Sequence, residues 1–548
     1  MYKINPLYKV AVGILAAGCL LLPATRALAA TDATPSTTAA PSDDYTTIKS
    51  HIFAFDAASV HSRLPVPTAR QLPLWHGFNL LNMFIQGTDK PFTPADFKAI
   101  RDLGFNFVRL PLDYRIFTHG GSWDKLDESA LENLDRAITY AIQNDIHVWI
   151  CLHRAPGYTV ANPPEKTDLW TDKSAQDAFA RIWGMLAYRY QHVPNQFLSF
   201  NLVNEPPDLK EDIYVNALKP AIDAIRAVTP DRLIIADGLA WGNKPLAQAK
   251  TLGIALATRG YYPMTVTHYH ASWVNGADQF PLPQWPKQLL ILPGYLYGNT
   301  KPDIQSPLVI NGQFKEDFHL SLNVHTVSSS IRLVMLADGK TVFDKVIASG
   351  KGAGDWKTEV YNQQYGIYQN IFDRDYTALI PAGTEQITIK ATDGDWMTFN
   401  SVTLAPVSAT SSIKPLILKP SNHDWGSKQT PITLAADNTV LDAPLINNIK
   451  SSRGLIEANF QPWVDTMNSG VGVMVGEWGA HNQGPHDVVL AWMKDCLSVW
   501  KQHGVGWAMW NFTGSFGVAN NGYEGIKYTP FEGYNLDQQM LDLLNQYK

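Results

Sequence analysis

Two glutamates follow apolar runs of the kind that form buried β-strands. Glu205 comes after residues 197–203 (FLSFNLV), and Glu477 comes after residues 471–475 (VGVMV). Neither acid therefore has the helical, solvent-facing surroundings of an ordinary surface glutamate. Two carboxyl groups that face one cleft can cut a glycosidic bond. A fold that brings these two strand ends together would carry that chemistry.

Strand-like and helix-like segments alternate along the chain from residue 74, which is typical of a parallel sheet covered by helices. Strand-like runs cover residues 75–80, 105–112, 147–153, 197–203, 233–236, 264–270, 471–477 and 505–512. Amphipathic helical stretches cover residues 94–103, 129–144, 175–190, 213–227, 455–467 and 536–546. Eight such units predict an α/β fold of the (β/α)8 TIM-barrel type, whose active sites lie at the carboxyl ends of the strands. Both glutamates stand at such ends.

The alternation of strands and helices stops between the sixth and seventh predicted strands. From residue 306 to about 408 apolar and polar residues alternate, and Asp338-Gly339 is typical of a two-residue hairpin turn. These features predict a β-sandwich domain inserted between strands 6 and 7. The insertion could bind polysaccharide, through Trp356 or Trp396, or it could only buttress the cleft. The predicted division is a first part of the catalytic barrel over residues 46–300, the insertion with its exit linker over 301–440, and the second part of the barrel over 441–548.

The amino terminus has the features of an export signal. Two lysines precede an apolar stretch over residues 10–22, and small residues near Ala29 offer a cleavage site. We therefore predict a signal peptide over residues 1–30 and a secreted or periplasmic protein. In a rival interpretation Cys19 belongs to a lipoprotein box, although the usual leucine three residues earlier is missing. The apolar run is shorter than a membrane-spanning helix, so no transmembrane segment is expected.

Composition narrows the class of protein. Residues 31–45 are rich in Thr, Ser, Pro and Ala and predict a flexible leader. The formal net charge of -6 gives no basic surface, so no nucleic-acid partner is expected. The 17 Trp and 22 Tyr supply flat faces that can stack on sugar rings.

Without the signal peptide Cys151 and Cys496 are the cysteines that remain, and we expect both to be buried thiols. The sequence indicates no oligomeric state.

Six separated strings stand at the predicted strands and their ends. The strings are His76-Gly77-Phe78-Asn79-Leu80, Val108-Arg109-Leu110-Pro111, Leu152-His153, Asn201-Leu202-Val203-Asn204-Glu205-Pro206, Gly476-Glu477-Trp478-Gly479 and Trp507-Ala508-Met509-Trp510-Asn511-Phe512. In this order and placement they resemble glycoside hydrolase family 5, the cellulase-like barrels of clan A. The resemblance runs from residue 75 to about residue 517, apart from the insertion. It implies an acid/base at the end of strand four and a nucleophile at the end of strand seven.

By this resemblance Glu205 is the general acid and then the base, and Glu477 is the nucleophile that forms a glycosyl ester. The acid must hold its proton near neutral pH, while the nucleophile must be ionised beside a cation. Arg109 is the matching cation, because a guanidinium stays charged and can fork onto a carboxylate. In a retaining site the two carboxyl groups should lie about 5 to 5.5 Å apart.

The resemblance also assigns three supporting residues. Asn204 would donate a hydrogen bond to the sugar 2-hydroxyl, a contact that strengthens in the oxocarbenium-like transition state. His153 would hydrogen-bond beside the reacting sugar, and Trp510 would form the stacking floor under it. The set of residues, rather than any one of them, carries the inference.

Family members carry His-x-Tyr on strand six, with the Tyr hydroxyl against the nucleophile. Two alignments of this sequence with that string are open, because each of them keeps only one of its two residues. One register keeps Tyr262 in that place, with Thr267-His268 matching a downstream Thr-His string; the other keeps His268 but puts His270 where the tyrosine belongs. We favour the first, with Tyr262 and His268 as supporting residues. His268 and His270 also have a spacing compatible with metal ligands, but no partner string is found, and no metal or other cofactor is expected.

The sequence thus predicts a secreted retaining glycoside hydrolase that cleaves β-linked polysaccharide. β-1,4-glucan is the first candidate substrate, as in an endoglucanase, and mannan or another β-glucan is the alternative. A hypothesis of another class is a carbohydrate-binding barrel without catalysis, against which the presence of both glutamates, Arg109 and Asn204 speaks. The aromatic residues expected to line the sugar path are Trp241, Trp273, Trp285 and Trp478.

Overall fold

The structure is a computed structural model that describes residues 62–548, apart from residues 120–121, 288, 422, 444, 446–448 and 450. The predicted signal peptide, the leader and Cys19 lie outside the described residues. No helix in the described part of the chain is both long and apolar enough to cross a lipid bilayer.

Eight parallel strands form a closed barrel. They are β1 (His76–Asn79), β2 (Phe107–Asp113), β3 (His147–Ala155), β4 (Leu198–Val203), β5 (Ile234–Asp237), β6 (Ala255–Gly260), β7 (Val473–Trp478) and β8 (Trp507–Met509). Neighbouring strands pair in parallel, and β1 pairs with both β2 and β8, so the sheet closes on itself. The predicted (β/α)8 barrel is confirmed.

Amphipathic helices pack on the outside of the barrel. The longer helices are Pro94–Asp102, Glu128–Gln143, Lys173–Arg189, Glu211–Val228, Ser452–Asn468, His486–Gln502 and Gln538–Gln546, and the short ones are Tyr114–Ile116, Leu239–Gly242, Ala249–Leu252, Met264–Thr267 and Ala277–Gln279. Asp127 shows how such a helix begins, since its side chain accepts hydrogen bonds from two backbone N–H groups of the first turn. In the same helix Leu131, Leu134 and Ile138 are buried at helical spacing. In this helix a side-chain cap and one apolar face thus fix the position against the sheet.

The barrel interior is filled from its amino end by apolar side chains. This cluster is made of Trp75, Phe107, Trp149, Leu233, Ile235, Ala255, Ala257, Met474 and Ala508. Because side chains along a strand alternate between its faces, residues two positions further on also point inward. Those positions include Arg109, Asp237 and Arg259, which are all buried. The apolar layer therefore forms a floor, and the polar site lies above it at the carboxyl ends of the strands.

The sixth strand does not lie where the sequence pattern predicted it. The prediction was residues 264–270, whereas β6 is Ala255–Gly260 and Met264–Thr267 is a helical turn beyond the strand. The run 264–270 is rich in β-branched and aromatic residues, which favour strands, whereas β6 contains alanines, which do not. Small side chains at Ala255 and Ala257 fit the interior cluster that includes Trp149. Packing inside the barrel thus overrides the local preference.

Between β6 and β7 the chain forms a second sheet with its own apolar cluster. Its ten strands are Tyr295–Tyr297, Leu308–Phe314, Phe318–Ala337, Lys340–Ala348, Tyr361–Asn362, Ile367–Ile380, Thr384–Pro406, Leu416–Leu418, Ile432–Leu434 and Val440–Asp442. The pairing is antiparallel except between Leu308–Phe314 and Ile432–Leu434. The predicted hairpin at Asp338-Gly339 is confirmed, since Ala337 pairs with Lys340 and both turn residues have positive φ.

The two tryptophans proposed for sugar binding in this insertion have different surroundings. Trp356 is partly buried and packs edge-on against Phe372. Trp396 lies 6.0 Å from the ring of Trp425, which is 56% exposed. Of the two, Trp396 is therefore the one beside an exposed aromatic surface, and a role in binding stays a prediction.

Candidate active site

Glu477 lies in β7 near its carboxyl end, buried against two arginines. Its Oε1 lies 2.7 Å from Arg109 Nη1 and 3.0 Å from Arg259 Nη2. The hydroxyl of Tyr261 donates to its other oxygen, Oε2, at 3.4 Å. The residue is only 3% exposed, so the two guanidinium groups, rather than water, compensate its charge. One oxygen is thus held by cations, and the other faces a neutral hydroxyl.

Glu205 follows β4 and has a positive φ of 47°, a backbone conformation that non-glycine residues seldom adopt. Its N–H donates to Asp237 Oδ2 at 2.8 Å, and its carbonyl accepts from the hydroxyl of Tyr158. Its Oε1 accepts from Arg259 Nε at 2.9 Å. Burial raises the pKa of Glu205 to about 7; the negative charge of Glu477 adds to the rise, and Arg259 opposes it. Such a carboxyl group holds a proton near neutral pH, as a general acid must.

Arg109 in β2 has no exposed surface, and its donors are all occupied. Besides Glu477, it donates to Oδ1 of Asn201 at 2.8 Å, of Asn79 at 3.0 Å and of Asn204 at 2.8 Å. Its Nη2 also lies 3.0 Å from the sulfur of Cys151, which like Cys496 is a buried free thiol, as predicted. The guanidinium is therefore fixed in one orientation. The predicted pairing of Arg109 with Glu477 is present.

Arg259 and Asp237 belong to the same cluster, although the sequence patterns did not single them out. Arg259 Nη2 forms a short ion pair with Asp237 and donates to Asn204 Oδ1 at 2.8 Å. Asp237 also accepts from Asn201 at 2.9 Å. Arg259 was missed because strand six was predicted too late in the chain. The signal that could have found it is the alternation of small and larger residues from 255 to 259, which ends in a charge.

Two buried polar atoms at the site have no hydrogen-bond partner among the described residues: Nδ2 of Asn204 and Nδ1 of His153. Buried polar atoms normally have a partner, so each is suited to a hydroxyl group of a ligand. Asn204 cannot turn its amide, because its Oδ1 accepts from both Arg109 and Arg259. Burial lowers the pKa of His153 well below its usual value, and the charges of nearby arginines lower it further. His153 is therefore neutral at the working pH of most enzymes.

Aromatic rings surround His153 at the rim of the site. Its ring centroid lies 5.6 Å from that of Trp510 and 4.5 Å from that of Phe84. The side chain of Trp510 is only partly buried, and the backbone N–H of this residue donates to the backbone carbonyl of Trp478 at 2.7 Å. The structure thus brings Trp510 and His153 together, as the resemblance implied. Phe84, in the loop after β1, was not predicted.

The preferred register of strand six was wrong by one residue. Tyr261, not Tyr262, has its hydroxyl beside Glu477, whereas Tyr262 is 39% exposed and its carbonyl accepts from Trp492. Residues 259–261 therefore take the His-x-Tyr place, with Arg259 where the histidine was expected. His268 lies behind Tyr261, with ring centroids 5.0 Å apart, and burial lowers the pKa of His268 to about 4.

The metal alternative also rested on the misplaced strand. His270 has a positive φ and stacks on Tyr269, so His268 and His270 do not share one face of a strand. Among the described residues no group of three or more His, Cys, Asp or Glu is arranged to hold a metal ion.

Two of the four tryptophans expected along the sugar path are in core positions instead. Trp478 is fully buried, and Trp285 is 7% exposed with its indole N–H donating to Asp495. These two predictions were wrong, since neither side chain can offer a face to a ligand. Trp241, in the short helical turn Leu239–Gly242 after β5, is 40% exposed, and Trp273, in the loop beyond β6, is 60% exposed. They remain candidates for contacts with a sugar chain.

The charges of the ionisable groups at the centre of the site sum to zero when Glu205 is protonated. Arg109 and Arg259 supply two positive charges, and Asp237 and Glu477 can supply two negative ones. A proton on Glu205 then leaves no net charge in the buried cluster. This arrangement combines a neutral carboxyl group with a charged carboxylate, and double displacement at a sugar requires two groups of these kinds.

Comparisons with known proteins agree with this geometry. Residues 70–285 match the model of the family Cellulase (glycosyl hydrolase family 5), which covers β1 to β6 and ends before the insertion. Endoglucanase C of Acetivibrio thermocellus is 28% identical over 193 residues, which is 34% of this chain and 56% of the relative. Cellodextrinase A of Ruminococcus flavefaciens is 26% identical over 187 residues, or 32% and 54% of the two chains. The chain thus spans about half the length of the curated relatives it matches.

A solved structure described as that of a glycoside hydrolase superposes with a TM-score of 0.55 at 25% sequence identity. The match covers 86% of this chain and 99% of the other, so it extends beyond the region of the family model. Over residues 70–285 the chain therefore matches glycoside hydrolase family 5, the cellulase-like family that the strings at the strand ends resembled.

Proposed function

We propose that this protein is a secreted retaining glycoside hydrolase that cleaves a β-linked polysaccharide. The observation that carries the proposal is the arrangement of Glu205 and Glu477 around one guanidinium, with Arg259 Nε on the first and Nη2 on the second. The two carboxyl groups therefore face the same space at the carboxyl ends of β4 and β7. An acid whose pKa is raised and a buried carboxylate beside cations have the division of roles that this reaction needs.

In the first step Oε2 of Glu477 attacks the anomeric carbon of the sugar. A bond forms between that oxygen and the carbon, and the bond from the carbon to the glycosidic oxygen breaks. The departing oxygen takes the proton of Glu205, so the leaving part of the chain departs as an alcohol. Asn204 Nδ2, which has no partner among the described residues, donates to the 2-hydroxyl of the sugar.

In the second step water replaces the departed chain. Glu205, now a carboxylate, takes a proton from the water as the water oxygen bonds to the anomeric carbon and the ester to Glu477 breaks. The product keeps the β configuration, and both glutamates return to their starting states. The ester carries no charge on Glu477, so the negative Glu205 is then less repelled, which favours its role as a base.

The substrate we propose first is β-1,4-glucan, cut as an endoglucanase would cut it. The names of the matched relatives, an endoglucanase and a cellodextrinase, support a glucan, but those matches cover only about a third of this chain. Mannan or another β-glucan is the alternative. Exposed tryptophans at positions 241 and 273 offer stacking faces for either kind of sugar chain.

A panel of soluble β-glucans, mannans and xylans tests the proposal, with reducing ends and product sizes measured for the wild type and for Glu477→Ala. We expect hydrolysis of at least one β-glucan by the wild type and a loss of at least about 10⁴-fold in the variant, because the nucleophile is gone. Equal rates for the two proteins would contradict the proposal that this protein is an enzyme with Glu477 as its nucleophile. Binding of a polysaccharide without hydrolysis by either protein would favour a carbohydrate-binding barrel.

Two finer points belong to the same proposal. We propose that the sheet inserted between β6 and β7 folds as a β-sandwich; its antiparallel strands and separate apolar cluster support this. We also propose export through a signal peptide over residues 1–30. Sequencing the amino terminus of the mature protein tests export, and a start near residue 30 or 31 is expected.

A further inference from the structure

Among the described residues, Arg259 is the one whose side chain forms a hydrogen bond or ion pair with both proposed catalytic carboxyl groups. Its Nε donates to Glu205 Oε1 at 2.9 Å, and its Nη2 lies 3.0 Å from Glu477 Oε1. On each glutamate the contact is therefore with Oε1. Glu205 Oε2 takes no hydrogen bond from the described residues, and Glu477 Oε2 has only the hydroxyl of Tyr261 at 3.4 Å.

The ion pair with Asp237 fixes the position of the Arg259 guanidinium. The side chain of Asp237 binds Arg259 Nη2 and also accepts from the backbone N–H of Glu205 and from Asn201. Arg259 is 5% exposed and Asp237 has no exposed surface, so water does not compete for these contacts. Arg259 cannot swing away without leaving a buried carboxylate unpaired, which is costly.

The backbone register also fixes Arg259. A Cβ atom at Gly260 would lie 2.7 Å from the Cβ of Trp478 and 2.8 Å from the ring of Trp500, so only glycine fits there. Gly260 thus faces outward, toward the helix His486–Gln502. Because strand residues alternate, Arg259 faces the barrel interior.

We propose that Arg259 is a positioning residue that holds Oε1 of both glutamates, so that Oε2 of Glu205 delivers the proton and Oε2 of Glu477 attacks the sugar. This inference rests on the proposed function. Family members carry a histidine in the corresponding place, and a histidine side chain cannot fork onto two carboxyl groups in this way. The site of this protein is therefore assembled around a permanent cation.

The groups that face Glu205 set the expected effect of removing that cation. They are Arg259 from β6, Glu477 from β7, Asp237 from β5, Tyr158 from the short strand Tyr158–Thr159, and Tyr261, which follows β6. Arg259 is the positive charge among them, and it lowers the pKa of Glu205 against the combined effect of burial and of Glu477. An opposite charge at such a distance shifts a carboxyl pKa by about 1 to 3 units. Without Arg259 the pKa of Glu205 should therefore rise.

The test compares the pH profiles of kcat/KM for the wild type, Arg259→Met and Arg259→Lys. In Arg259→Met we expect the basic limb of the kcat/KM profile to move to a pH higher by about 1 unit or more, because the positive charge beside Glu205 is gone. The maximal rate should fall at least about 100-fold, because both glutamates lose the guanidinium that positions them. In Arg259→Lys the limb should stay near that of the wild type, since the charge remains. The rate should still fall about 10-fold or more, because an ammonium cannot hold both oxygens in the geometry of a guanidinium.

Arg232→Met is the matched control. Arg232 is also a buried arginine, but it donates to backbone carbonyls of Tyr190, Val193 and Leu198 at the amino end of the barrel. This variant should lose stability without moving the basic limb. If Arg232→Met moves the limb as far as Arg259→Met does, the effect is a general consequence of a loosened barrel, and the proposal fails.

Titration of Glu205 by carbon NMR of labelled glutamate carboxyls gives a readout that needs no activity, with Glu205→Gln to assign the signal. A wild type that hydrolyses no polysaccharide would overturn the proposed function, whereas the NMR titration would still test Arg259. An active wild type, with unchanged pH limb and unchanged Glu205 titration in a folded Arg259→Met, would overturn only the role of Arg259. Should Arg259→Met not fold, a folded Arg259→Lys with an unchanged kcat/KM would have the same meaning.

Discussion

The guanidinium of Arg109 and the carboxylate of Glu477 form an ion pair of 2.7 Å that joins β2 to β7 across the barrel. Both side chains are buried, and 368 positions separate them along the chain. The pair therefore ties the first part of the barrel to the part that follows the insertion. Its loss should affect folding as well as chemistry.

We expect Arg109→Met to lower the free energy of unfolding by about 3 to 5 kcal/mol, because Glu477 and Asn204 each lose one of their two guanidinium partners and keep only Arg259. The double variant Arg109→Met/Glu477→Gln should recover part of this loss, since the buried negative charge that Arg109 compensated is gone. Urea denaturation of the two single variants and the double variant measures the coupling. Simple additivity of the two single effects would contradict a stabilising role for the ion pair.

The raised pKa of Glu205 predicts how activity depends on pH. The acid must carry a proton, and the pKa of Glu205 is about 7, so kcat/KM should fall about tenfold per pH unit above that value. The Glu205→Gln variant, which has no proton to lose, should lack this basic limb in its residual activity on an aryl glycoside with a good leaving group. A limb that persists in the variant would assign the titration to another group.

The same shift has a consequence for stability. The pKa of Glu205 rises from an ordinary value of 4.5 to about 7 on folding, so the folded protein binds the proton more tightly than the unfolded chain. The contribution of Glu205 is therefore full below about pH 4.5 and is lost as the pH rises toward 7. Between these pH values Glu205→Gln should lose less stability than the wild type does. Thermal unfolding of both proteins across this range gives the comparison, and parallel curves would speak against a raised pKa.

Asn204 should act through the 2-hydroxyl of the sugar. We expect Asn204→Ala to lower kcat/KM about 100-fold or more on an ordinary substrate, because the contact strengthens in the transition state. On a 2-deoxy substrate the wild type and the variant should react at similar rates, since the hydroxyl is absent. Arg109 and Arg259 also lose an acceptor in this variant, so its fold is checked by circular dichroism. A full loss of rate on the 2-deoxy substrate would show that Asn204 acts in some other way.

Tyr261 and Tyr262 form a matched pair for the corrected register of strand six. Tyr261→Phe removes the hydroxyl beside Glu477 Oε2 and should lower kcat about 10- to 100-fold by misplacing the nucleophile. Tyr262→Phe changes an exposed ring and should leave kcat within about twofold of the wild type. The reverse order of effects would restore the register that the sequence favoured.

Much of the barrel could be predicted because its strands and helices carry strong local patterns. The buried runs before Glu205 and Glu477 and the alternation around Phe318 are periodic, and periodicity reflects which face is buried. Arg109 and His153 could be found because each stands inside or at the end of such a run. The strand ends of a parallel barrel meet on one face, so these residues had to lie near one another.

Strand six was missed because its residues are favourable only inside this barrel. The alanines at 255 and 257 carry little preference for a strand, and the helix before them, Ala249–Leu252, is too short to show a helical period. With the strand misplaced, Arg259 and Tyr261 had no expected position. Trp478 and Trp285 show the converse error. A tryptophan near a strand end can pack in the core or stack on a sugar, and which of the two it does depends on the packing of the folded barrel.

The central claim is that Glu477 forms a covalent bond to the sugar. Incubation with a 2-deoxy-2-fluoro β-cellobioside that has a good leaving group should trap this ester, because the fluorine slows both steps and the leaving group restores the first. Peptide mass spectrometry of the trapped protein should then find the fluorosugar on the peptide that contains Glu477, and on no peptide in Glu477→Ala. A fluorosugar attached to any other residue of an active wild type would contradict the account.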